Sequence, residues 1–200
     1  MIRKLKLALS ATLLICASVA NATMLTGTLT VDNSQSVYLS TDDNTQGVLI
    51  GTGSNWTVTD SVLGNLIAGT NYYLHVYGEN ITGPHAFLGD FSLSGTDHVF
   101  SNGSNSLLTN TTDWQVSNSG WSNYTTVTSY GLNGVSPWGT RSGIDSNAEW
   151  IWTSGSNVRG ATAYFTTAIT ATTNPQSASA PGIVALLLLS IGGIFARRRA

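Results

Sequence analysis

Short alternating stretches of apolar and polar residues fill the middle of this 200-residue chain. Thr26–Val31 alternates weakly, and Val37–Leu39, Val48–Ile50 and Trp56–Val58 are brief runs rich in β-branched and aromatic residues. Tyr72–Tyr77 and Phe87–Leu93 are stronger. Val99–Phe100, Trp114–Val116, Val127–Tyr130, Trp150–Trp152 and Ala163–Ile169 complete the set. Successive side chains of a strand point to opposite faces, so such runs predict half-buried strands. Clusters of Gly, Asn, Asp and Ser at Asp42–Asn44, Gly51–Gly53, Asn102–Ser104 and Asn133–Gly134 predict the turns between them. Strands about ten residues apart, punctuated in this way, predict an all-β sandwich or barrel. Leu74, Val76, Phe87 and Phe91 are expected between two sheets. Gly83-Pro84 and Gly89 are expected to turn the chain. Trp150 and Trp152 lie two apart and are expected on one side of a strand, in the core with Phe165.

The two ends follow a different pattern. Arg3, Lys4 and Lys6 precede an apolar run from Leu7 to Val19, and Ala20 and Ala22 are small residues of the kind signal peptidase reads. This predicts a signal peptide over 1–22. Cys16, the lone cysteine, falls within it, so the exported chain is expected to have no disulfide. At the other end, Ala180-Pro181-Gly182 leads into an apolar run from Ile183 to Ala196 and then Arg197-Arg198-Arg199. As a helix, Ala180–Ala196 would reach about 25 Å, near the lower limit for a hydrocarbon core of about 30 Å. The arginines would hold that end in the cytoplasm and leave the preceding domain outside. The expected organisation is a signal peptide (1–22), a β-sandwich ectodomain (23–170), a polar linker (171–179) and a membrane-inserted tail (180–200).

Charge sharpens this division. Three basic residues are in the leader and three in the tail, so the domain keeps only Arg141 and Arg159. Against them stand all ten acids, for a formal charge of −8 and no lysine. Such a surface disfavours nucleic acid and anionic membranes. Ser, Thr and Asn dominate Ser101–Thr126, but Leu107, Leu108, Trp114, Trp121 and Tyr124 interrupt them. Disordered segments are poor in such residues, so this stretch is expected to fold.

Two resemblances follow. Pro181 after a small residue, a marginal apolar helix and terminal arginines resemble the PEP-CTERM sorting signal of Gram-negative bacteria, with Ala180-Pro181-Gly182 standing where that signal carries Pro-Glu-Pro. The resemblance implies recognition by an exosortase-type transpeptidase tied to exopolysaccharide production, after transient insertion in the inner membrane. A simple single-span anchor is the alternative. Within the domain, four segments resemble jelly-roll domains related to the galactose-binding-like fold. They are Asp32-Asn33 with Val37–Leu39; Leu66–Val76; Gly83–Phe91; and Ser136–Gly139 with Ala148–Trp152 and Tyr164–Thr166. That fold hosts many functions, so it implies architecture rather than ligand.

Candidate chemistry is sparse. Trp121 and Trp138 stand beside Gly, Ser and Pro and are expected as exposed loop aromatics on which sugar rings could stack. Arg141, close after Trp138, could fork to sugar hydroxyls or a carboxylate, or pair with Asp145 or Glu149. No catalytic residue is assigned: nothing in the spacing pairs Glu79, Asp90, Asp97 and Glu149 as a glycosidase requires. His75, His85 and His98 are too widely spaced for a local zinc motif, and His75 reads as structural. No cofactor or metal is assigned, although Asp32 and Asp42-Asp43-Asn44 offer oxygen ligands of the type calcium takes. A solvated acidic turn is the plainer reading. The expectation is a secreted surface or matrix protein that binds, or is embedded in, extracellular polysaccharide. A secreted glycan-active hydrolase and a structural spacer are the alternatives.

Overall fold

The computed structural model describes residues 22–155 and 159–172. These residues form an antiparallel β-sandwich with no helix among them. The strands are β1 (Thr23–Asp32), β2 (Ser34–Ser40), β3 (Val48–Gly53), β4 (Asp60–Leu66), β5 (Tyr72–Glu79), β6 (Ala86–Leu93), β7 (His98–Phe100), β8 (Ser106–Leu108), β9 (Gln115–Ser117), β10 (Thr125–Thr126), β11 (Thr128–Leu132), β12 (Glu149–Trp152) and β13 (Thr162–Ala171). The first sheet runs β11-β12-β6-β1-β4, with β8 alongside β6; the second runs β10-β9-β13-β5-β2-β3, with β7 on β13. Among sequence neighbours, only β2–β3, β9–β10 and β11–β12 pair with each other. The other connections cross between the sheets, so most of the pairing is non-local.

The core forms where the alternating apolar positions of both sheets meet. Leu74 and Val76 of β5 and Phe87 and Phe91 of β6 are fully buried there, as the alternation predicts. Burying an aromatic or aliphatic side chain of this size contributes about 1.5–3 kcal/mol. Glycine makes room for the rings. A Cβ on Gly89 would stand 2.6 Å from the Phe91 ring, and one on Gly78 would stand 2.8 Å from the indole of Trp152. Gly89 therefore packs inside β6 and does not turn the chain, whereas Gly83, at φ 81°, does.

Three further expectations need correction. Trp56–Val58 is a turn, not a strand. The Asn55 Oδ1 accepts hydrogen bonds from the Thr57 N–H (3.0 Å) and hydroxyl (2.7 Å), and such local bonds compete with a sheet ladder. Gly51–Gly53 lies within β3, where a Cβ on Gly51 would meet Val62 at 2.5 Å; close strand approach, not a turn, explains that glycine. Trp150 and Trp152 are both buried but serve different clusters. Trp152 reaches the inter-sheet core and meets Phe165 edge-on at 5.3 Å. Trp150 packs with Ala86 and Leu88 under the 133–148 loop.

β1 begins and β13 ends side by side. Thr23 Oγ1 lies 3.0 Å from Nδ1 of His98, and Ala171 pairs with His98 in the sheet. His98 is fully buried and its Nε2 lies 3.0 Å from the carbonyl oxygen of Thr70, so this imidazole ties both ends of the domain to the β4–β5 turn.

Candidate functional site

The centre of the second sheet is β2, β5 and β13. Their inward positions carry Val37, Leu74, Val76 and Phe165. The intervening positions face outward, and many are aromatic. Register then gathers residues that are distant in sequence: Tyr38 lies opposite His75, and Tyr77 opposite Tyr164. Onto this face the 118–124 loop folds Trp121. Its indole stacks on His75 at 4.4 Å between ring centroids, with 13° between planes. One face of the indole is thus spent on His75, and the residue stays partly exposed. Tyr38, at 6.0 Å and 77°, and Tyr164, at 5.0 Å and 87°, stand nearly upright on either side. Tyr77, back on β5, lies 5.2 Å from Tyr164. All of these rings except His75 are partly exposed.

A polar network holds Trp121 in place. His75 is fully buried, with Nε2 3.1 Å from Asp43 Oδ1 and Nδ1 3.4 Å from the Gln46 carbonyl oxygen. Thr166 donates to the same Asp43 oxygen at 2.5 Å. The Tyr124 hydroxyl donates to the Asp43 carbonyl at 2.9 Å. Burial first, then the charge of Asp43, pushes the Tyr124 phenol up. Asp43 therefore clasps the 41–47 loop to the loop bearing Trp121. An Asp–His pair can do acid–base work, but here both imidazole nitrogens face protein acceptors beneath an indole. The pair acts as scaffold.

The other sequence candidates sit elsewhere. Trp138 is not an exposed aromatic: it is 4% exposed, stacks on Trp150 at 4.9 Å, and donates from Nε1 to Asp32 Oδ2 at 2.9 Å. The burial follows from Asn133, whose side chain donates to the Arg141 and Ile144 carbonyls at 3.1 and 2.9 Å and accepts from the Arg141 N–H at 2.7 Å. That folds the 133–148 loop down on the first sheet. Arg141 pairs with neither Asp145 nor Glu149. Its guanidinium donates to the carbonyls of Thr57 and Trp138 and lies 5.1 Å from the Trp56 ring centroid. Such an arginine is committed to holding loops and has little left for a ligand.

Asp32 and Asp42 stand at opposite ends of β2, which separates them by about 20 Å at strand rise. They cannot share an ion. The Asp42 carboxylate closes its own turn, accepting from the Asn44 N–H at 2.9 Å and the Thr45 hydroxyl at 3.1 Å; these bonds hold its pKa below the usual range. Among the described residues, no group of three His, Cys, Asp or Glu is placed to hold a metal. One contact brings two acidic residues together. The Asp145 N–H donates to Asp90 Oδ2 at 3.3 Å, and burial first, then the Asp145 charge, raises the Asp90 pKa. Asp90 lines a groove of about 480 Å³ on the outer face of the first sheet.

Ala22 is exposed just ahead of β1. Ala20, the Ala180-Pro181-Gly182 motif, the apolar run and Arg197–Arg199 lie outside the described residues. The chain matches no known family model, no curated protein and no solved structure.

Proposed function

We propose that this chain is an exported surface or matrix protein whose sandwich holds extracellular polysaccharide on the outer face of its second sheet. The observation that carries this reading is Trp121, stacked on His75 and partly exposed between two tyrosines set edge-on to it. Sugar rings present apolar C–H faces that pack on such an indole, while phenol hydroxyls alongside can exchange hydrogen bonds with sugar hydroxyls. A sheet face accepts a long chain without end, as a polysaccharide requires. Crossing of the chain between sheets at most connections supports a jelly-roll description of the same sandwich. Export by signal peptidase and sorting by an exosortase-type enzyme through the Pro181 motif and the closing arginines complete the reading. Such a tail would place the domain next to the polysaccharide made at the envelope.

A pull-down of the purified protein on extracellular polysaccharide tests it. Trp121→Ala should lower retention about tenfold or more, equivalent to about 1.4 kcal/mol, with little change in melting. Trp138→Ala should instead cost about 3–5 kcal/mol of stability, as loss of a buried indole does. Retention indifferent to Trp121 would remove the platform from the account.

A second reading, a glycan-active hydrolase, rests on the Asp90–Asp145 pair at its groove. A carboxyl with a raised pKa beside a second carboxylate is the arrangement glycosidases use. Release of reducing ends by wild type but not by Asp90→Asn would establish it.

A further inference from the structure

Resting on the platform reading, we infer that the ligand is an uncharged polysaccharide and that acidic chains, such as uronate polymers, are rejected. The rings supply no countercharge. Among the described residues the only lysine or arginine side chains are Arg141 and Arg159. Arg141 is bonded to loop carbonyls over the first sheet, and Arg159 lies in the connection before β13, three residues ahead of Thr162, the partner of Glu79. Two carboxylates border the rings. Asp43 is bonded to His75, on which Trp121 stacks, and Glu79 ends β5 two residues beyond Tyr77. Burial and, next, the Glu79 charge raise the Tyr77 phenol. A carboxylate on a docked sugar would approach these two carboxylates, and like-charge contact disfavours the wrong partner. The face is otherwise suited to hydroxyls: Ser36, partly exposed, lies opposite Tyr77.

Affinity electrophoresis of the purified protein separates the possibilities. The gels contain hydroxyethyl cellulose, dextran or galactomannan as neutral probes, and alginate or hyaluronate as acidic ones, at low and high salt. The expected result is retardation by at least one neutral polymer, unchanged by salt, reduced tenfold or more by Trp121→Ala, and none by the acidic polymers at low salt. Trp121→Phe should retain part of the retardation, and unchanged melting of both variants excludes unfolding as the cause. Retardation by alginate or hyaluronate that Trp121→Ala abolishes would overturn the neutral-chain inference while leaving the platform in place. Retardation by neutral polymers that ignores Trp121 would overturn both. No retardation by any probe would overturn the platform reading itself, and this inference with it.

Discussion

Trp121 and Trp138 have similar sequence surroundings and opposite fates. Both stand among Gly, Ser, Asn or Pro, and that composition reads as exposed loop. One is a partly exposed platform; the other is a buried strut on Asp32. The difference lies in residues that no local pattern marks: Asn133 draws one loop inward, and the Asp43–Tyr124 bond holds the other over the sheet. Residue chemistry also gives a pH dependence. Burial raises the Asp32 carboxyl above its ordinary 3.8 and lowers the His85 imidazole below its ordinary 6.5. The folded state therefore holds the Asp32 proton more tightly than the unfolded chain. That stabilisation is complete below 3.8 and lost as pH rises through the raised folded value. His85 works the other way: its contribution is present above 6.5 and lost as pH falls through the lowered folded value. In denaturant titrations from pH 4 to 8, Asp32→Asn should shrink the loss on the alkaline side of 3.8. Asp90, raised in the same sense, would retain part of it. His85→Gln should shrink the acid-side loss below 6.5. Unchanged slopes in both variants would contradict the burial argument.

At the scale of strands, period-two alternation was enough to locate β1, β5, β6 and β13, because one face of each packs into the inter-sheet core and the pattern is long. It failed at β4. There Val62, Gly64 and Leu66 face inward, but a glycine stands where an apolar residue would complete the pattern, and Leu63 points outward. The space Gly64 leaves is filled by Leu39 from another strand, which a local pattern cannot show. The platform was illegible for a related reason: Tyr38, Tyr77 and Tyr164 meet only through long-range pairing. Edge strands give a separate expectation. β3 and β4 end their sheets, and Val48 and Leu63 on them are 71% and 56% exposed. Protected edges commonly carry lysine, and this domain has none. Leu63→Lys should raise the concentration at which the protein self-associates, measured by light scattering, without altering polysaccharide retention. An increase in self-association would contradict this use of the edge.

For the whole molecule, sequence and structure divide the account. The sandwich class follows from strand spacing and is seen in the two antiparallel sheets. The address rests on the two ends of the chain alone. Intact mass spectrometry of the protein recovered from producing cells and their medium should show loss of 1–22 and of everything beyond about Ala180. A retained C-terminus in the envelope would favour a permanent single-span anchor. The domain's formal charge of −8 and its paucity of cations agree with a protein that stays clear of nucleic acid and acidic surfaces. On the proposed reading, polysaccharide contact comes from stacking and hydroxyl exchange rather than from countercharge.

Co-fractionation in the producing cell tests the central claim most directly. Wild-type protein and Trp121→Ala, expressed at equal levels, would be followed through isolation of the extracellular polysaccharide. The account predicts that wild type travels with the polysaccharide and that the variant, equally folded and equally processed, is left in the free-protein fraction. Equal recovery of both with the polysaccharide, or wild type found wholly apart from it, would contradict the claim.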